Sequence, residues 1–209
     1  IVSDTWRIES EALPHPEYNT LRYRIITPKG QLTMVTQSNQ HTTWATESLI
    51  KNKRDIDLIG EYVTTPKCDV DAVNKIAEAY GSRGLIRGHV CCFDIHGQPG
   101  CWQDACCLVG TEKMIMATYD DPAWVHELLK ILQARKIGFI KSLKGANYDI
   151  LELGGGDAST TVISPKIFRK FVAPYDSELI RLAHEVGQRI VYHTCGGMKN
   201  ILDLIVANE

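Results

Sequence analysis

The run Val191-Tyr192-His193-Thr194-Cys195-Gly196-Gly197 sets an imidazole and a thiol two residues apart, just before a pair of glycines that frees the backbone to turn. Residues two apart on a strand project to the same side, so His193 and Cys195 can offer a nitrogen and a thiolate to a single ion. Zinc favours that donor pair, and a catalytic zinc site takes three protein ligands while leaving one position open. Two ligands are visible and a third is needed. The competing reading makes Cys195 a small buried hydrophobe and His193 a core histidine with a hydrogen-bond partner. Placement at the carboxyl end of a strand, the face on which β/α barrels carry their active sites, argues for the metal and leaves both readings open.

Glu152 and Asp157 flank the end of an earlier strand pattern and are the candidate catalytic carboxylates: either can orient substrate, support a metal ligand or bind the metal directly. A carboxylate in the otherwise apolar stretch around Glu152 requires a partner, which argues for a role. Asp157 reads equally well as a turn residue bonding its own backbone. His96, Gln98 and Trp102 fall in a predicted strand-to-helix loop and are the candidate substrate contacts, although Gly97, Pro99 and Gly100 are also ordinary loop punctuation. The neighbours Cys91-Cys92 and Cys106-Cys107 form no C-x-x-C, and adjacent strand residues face opposite ways, so packing is the expectation for them.

Such a site needs elements that bring distant residues together. Residues 20–37 alternate around Pro28-Lys29-Gly30 and predict a β-hairpin. Residues 47–62 predict an amphipathic helix, and Asp69 is a natural N-cap for another ending at Gly81. Residues 85–93 read as a strand covered on both faces. Helices are expected over 110–119 and over 121–144, the latter opening on Asp121-Pro122. Strands follow at 148–153 and 189–193, with helical patterns from Ser164-Pro165, over 179–186 and after Gly197. Strands that alternate with helices and run into glycine-bearing loops are the grammar of β/α units on a parallel sheet. Gly154-Gly155-Gly156 lacks the later glycine of a dinucleotide fingerprint, so a β/α barrel is preferred to an open doubly wound sheet. The expected organisation is one α/β domain over 1–209, a partial β/α barrel, with an N-terminal hairpin region at 1–46 and β/α units over 47–209.

The 209 residues carry 23 basic and 25 acidic side chains, a formal net charge of -2, and no Lys/Arg-rich stretch, so nucleic acid is an unexpected partner. No apolar run approaches the roughly 18 residues that span a bilayer, and no membrane partner is expected. Seven cysteines without regular spacing suit a reducing, cytoplasmic compartment better than a disulfide scaffold. The chain opens on Ile1 and stops directly after an apolar helical pattern, as expected for a piece of a longer protein.

Ile150-Leu151-Glu152-Leu153-Gly154-Gly155-Gly156-Asp157, Ile163-Ser164-Pro165 with Phe168, Phe171-Val172-Ala173-Pro174-Tyr175, Leu182-Ala183-His184-Glu185-Val186-Gly187 and His193-Thr194-Cys195-Gly196 together resemble the uroporphyrinogen decarboxylase superfamily. The resemblance is densest over 148–209 and looser over 85–145, where 97–104 stands in the place of the family's glycine and proline loop. It implies a β/α barrel. The His-x-Cys-Gly run matches the zinc-dependent corrinoid methyltransferase branch and is missing from the true decarboxylases. That branch implies zinc held by His193, Cys195 and a second cysteine from a later strand, with the methyl group moving to or from the cobalt of a corrinoid on a separate protein. A small-molecule methyl donor or acceptor is the other implied partner.

A tetrapyrrole decarboxylase, which needs no metal, is the alternative, and it would use arginines to hold substrate carboxylates. Arg83 and Arg87 stand near the amino end of a predicted strand, the end facing away from a barrel's active site, and read as surface residues. A third possibility is an inactive fragment whose open sheet edges pair with another copy, giving a homo-oligomer.

Overall fold

The computed structural model describes residues 3–91, 93 and 95–208. Four antiparallel strands come first: β1 (Arg7–Leu13), β2 (Asn19–Thr27), β3 (Gly30–Ser38) and β4 (Thr43–Glu47), paired in chain order. The predicted hairpin is β2–β3, turning through Pro28 and Lys29, but it is the middle of a larger sheet. Glu9 lies opposite Arg24 and Glu11 opposite Arg22, and both pairs form ion pairs on the exposed face. The other face buries Ile25, Leu32 and Met34 in the core. Residues 47–54 remain outside helix, and α1 covers only Asp55–Tyr62; Asp55 accepts from the backbone N–H groups of Lys51 and Asn52, closing a turn where helix was expected.

The cap chemistry holds where it was local. Asp69 accepts from the Ala72 N–H at the start of α2 (Val70–Tyr80), and Asp121 accepts from the Trp124 N–H at the start of α5 (Pro122–Lys141). Between them lie β5 (Arg87–His89), α3 (Cys101–Val109) and α4 (Thr111–Asp120). Helix α3 corrects the sequence reading, which gave 97–104 to a loop and treated Cys106 and Cys107 as strand neighbours. Its buried residues Cys101, Trp102, Ala105, Cys106, Leu108 and Val109 recur at helical spacing.

After α5 come β6 (Ile150–Gly154), a short helix α6 (Pro165–Ile167), a π-helical turn Phe168–Val172, α7 (Ala173–Glu185), β7 (Ile190–His193) and α8 (Leu202–Val206). Strands β5, β6 and β7 form a parallel sheet in that order, the β/α arrangement expected from sequence. Among the described residues this sheet has three strands and does not close into a barrel. Among the described residues of the predicted strand 85–93 only Arg87–His89 is strand, and it is not covered on both faces: Arg87 and His89 are exposed on one side. The opposite side carries Leu151, Leu153 and Tyr192 against the helices, with Phe168 meeting the Tyr192 ring edge-on at 6.5 Å.

Asp176 of α7 lies buried under β7, where its Oδ2 accepts the Tyr192 hydroxyl at 2.5 Å. Burial pushes its pKa from 3.8 up to about 6, with the Tyr192 hydrogen bond pulling the other way. A carboxyl raised in the folded state contributes stability that is fully present below its unfolded pKa and lost as pH rises through the folded one. Asp176→Asn cannot titrate. Denaturant titrations are therefore expected to show the parent losing up to about 3 kcal/mol relative to this variant between about pH 4 and pH 7. A difference independent of pH contradicts this.

Candidate functional site

The carboxyl ends of β6 and β7 bring His193 and Cys195 together: His193 Nε2 lies 3.2 Å from Cys195 Sγ. Cys195 stands just past the end of β7, in the turn rather than the strand, and its side chain reaches the imidazole from there. A tetrahedral zinc ion with bonds of about 2.0 Å to nitrogen and 2.3 Å to sulfur spaces those donors about 3.5 Å apart. The observed gap is a few tenths of an ångström shorter, within reach of a small side-chain rotation, so the pair fits two ligand positions. Among the described residues no cluster of three or more His, Cys, Asp or Glu completes a site.

The run of three glycines has a physical reason that the sequence did not disclose. Gly154 has φ +93, and a Cβ there would lie 2.5 Å from the His193 carbonyl oxygen; a Cβ on Gly156 would lie 2.8 Å from Cys195 Sγ. The end of β6 lacks side chains so that the β7 turn can lie against it.

Glu152 is buried in the centre of the sheet, and its carboxylate links all three strands. Oε1 is 3.4 Å from His193 Nδ1, while Oε2 is 2.7 Å from Arg87 Nη1 and 3.7 Å from His89 Nε2. The carboxylate favours the proton on His193 Nδ1 and leaves Nε2 turned to the sulfur, the usual arrangement behind a metal-bound histidine. Arg87 is exposed, as the sequence reading has it, but it has a partner that reading did not give. Its side chain reaches the central carboxylate, whereas Arg83 stacks on Tyr80 and bonds the end of α2, as a surface residue does. His89 was not anticipated, because only the pairing of β5 with β6 brings it near.

A cleft of about 310 Å³ covers this pair, lined by Gln98, Pro99, Gln103, Glu152, Gly155, Gly156, Asp157, His193 and Cys195. Of the sequence candidates it therefore gathers Glu152, Asp157, Gln98, His193 and Cys195. Asp157 is held by Gln103: the Gln103 amide donates to Asp157 Oδ2 at 2.7 Å, and the Asp157 N–H donates back to Gln103 Oε1 at 2.8 Å. Gln103 escaped notice because α3 did, although the helical spacing of its apolar residues was there to read.

Trp102 and His96 lie elsewhere. Trp102 is 1% exposed under the cleft floor, its indole N–H donating to the Asp157 carbonyl at 3.1 Å. His96, in a left-handed conformation at φ 53, lines a neighbouring cleft of about 270 Å³ with Trp44, Cys107 and Thr111, and burial pushes its pKa down. Burial pushes the Cys91 and Cys107 thiols up to about 11 and raises that of Cys106 well above its ordinary value, as packed residues should be. Cys92 lies outside the described residues. Among the described residues, Cys68, Cys91, Cys101, Cys106, Cys107 and Cys195 form no disulfide. No helix among the described residues is long and apolar enough to cross a membrane.

A sequence model described as uroporphyrinogen decarboxylase (URO-D) matches residues 95–208. No curated protein sequence matches the chain. A solved methyltransferase from Methanosarcina mazei superposes with a TM-score of 0.57 at 17% identity, over 80% of this chain and 48% of its own. The chain thus spans about half the length of that protein, and the likeness concerns the fold.

Proposed function

This chain belongs to the uroporphyrinogen decarboxylase family, and from that premise we propose that it is part of a methyltransferase that uses a zinc ion held by His193 and Cys195. The observation that carries the proposal is the 3.2 Å approach of imidazole nitrogen to thiol at the mouth of a polar cleft. The methyl group would pass to or from the cobalt of a corrinoid on a partner protein, the other reactant being a small-molecule donor or acceptor. The fold likeness to a methyltransferase supports this branch of the family. Cysteines that form no disulfide among the described residues suit a reducing cytoplasm.

When bound, zinc supplies Lewis-acid chemistry that lowers the pKa of a thiol or polarises a methyl donor. The chain's residues do the rest. His193 and Cys195 hold the ion, and Glu152 fixes the His193 ring from behind. Asp157, clamped by Gln103, presents a carboxylate to the cleft with Gln98 and Pro99 as the wall.

The test is metal content. The protein should hold roughly one zinc per chain, lost in His193→Ala and in Cys195→Ala. Full binding in both variants overturns the reading. Arg87, which reaches the Glu152 carboxylate, is the observation that favours a decarboxylase instead, but Glu152 already engages it. A decarboxylase would show no zinc dependence and would act on a porphyrinogen. Size in solution tests pairing with a second copy.

A further inference from the structure

Two buried charges lie beneath the cleft and take no part in the chemistry proposed for it. Lys136 of α5 and Asp104 of α3 have side chains 0% and 1% exposed, with Nζ 2.6 Å from Oδ2. Lys136 Nζ also donates to the carbonyls of Val90, at 2.9 Å, and Gln98, at 2.7 Å. Asp104 Oδ1 accepts the Gln98 N–H at 2.5 Å. The pair therefore grips both ends of the connection from β5 to α3, and it holds Gln98 by its N–H and its carbonyl at once.

The connection continues straight into the site. Gln98 and Pro99 line the cleft that holds His193 and Cys195, and Gly100 lies so close to β6 that a Cβ on it would be 2.5 Å from the Gly154 carbonyl oxygen. A buried ion pair is a poor source of stability, because removing two charges from water offsets most of their attraction, and apolar replacements are often neutral. What such a pair does supply is direction: an ammonium group with fixed acceptors admits one arrangement of the backbone around it.

We propose that Lys136 and Asp104 are positioning residues that fix the Gln98–Pro99 wall of the cleft. The inference rests on the reading of that cleft as the reaction site, and its test is separable from the zinc test. Lys136→Met alone strands a buried carboxylate and is expected to fold poorly. Lys136→Met/Asp104→Asn removes both charges and keeps an acceptor for the Gln98 N–H, but leaves the Val90 and Gln98 carbonyls without their donor.

The double variant should fold and melt above Lys136→Met alone, since it no longer strands a buried charge. Its amide hydrogen exchange over residues 95–100 should nonetheless rise by about tenfold or more, as expected when charge-assisted anchors are lost. Exchange in the β2–β3 hairpin serves as the internal control and should keep the parent's rate. Exchange over 95–100 that matches the parent overturns the proposal, as does a rise shared equally by the hairpin, since that reports general loosening. A loosened wall in a protein that binds no zinc would support the positioning role while removing the function proposed for the site.

Discussion

Trp102→Ala is expected to lower stability by about 3–5 kcal/mol, the range for truncating a large buried aromatic. Trp102 is almost wholly buried, and its ring lies 6.4 Å from that of Phe171. The indole N–H also satisfies the Asp157 carbonyl, so truncation leaves both a cavity and an unpaired acceptor beneath the loop that carries Asp157. Trp102→Phe retains most of the volume and should cost far less. Denaturant unfolding of the two variants gives the answer. A loss of ligand binding at unchanged stability would instead return Trp102 to the cleft wall, where the sequence alone had placed it.

Glu152→Gln should weaken zinc binding by about tenfold to a hundredfold while the protein stays folded, the usual effect of removing the carboxylate behind a metal-bound histidine. The amide keeps the shape of the side chain but removes the charge that orients His193 Nδ1. Arg87, more than half exposed, can turn to solvent once its partner is neutral. Competition against a chromogenic chelator measures the affinity. An unchanged dissociation constant would mean that Glu152 serves the sheet and Arg87 alone.

What the sequence disclosed was what short range controls. Asp69 and Asp121 cap their helices through bonds to residues three positions on, and the β2–β3 turn is fixed by Pro28 and its neighbours, so each could be read locally. Strand β1, Arg-Ile-Glu-Ser-Glu-Ala-Leu, has no strong strand preference of its own and is extended because its backbone pairs with β2 along its whole length, with Glu9 and Glu11 set opposite Arg24 and Arg22. Helix α3 was hidden by Gly97, Pro99 and Gly100, which punctuate the chain immediately before it. The site divided along the same line. His193 and Cys195 are neighbours in sequence and could be paired on spacing. Arg87, His89 and Glu152 meet only through the order β5-β6-β7, and Lys136 reaches Gln98 from 38 residues away. Contacts of that kind depend on topology rather than on local pattern.

In the proposed site one imidazole and one thiolate of this chain share a metal ion. Cobalt(II), substituted for zinc, reports this directly, because a cobalt–thiolate bond adds a charge-transfer absorption in the near ultraviolet. The parent should show that band, Cys195→Ser should lose the share that its own thiolate contributes, and His193→Ala should bind cobalt much more weakly. A band that persists undiminished in Cys195→Ser would place the thiolate on another cysteine and contradict the account.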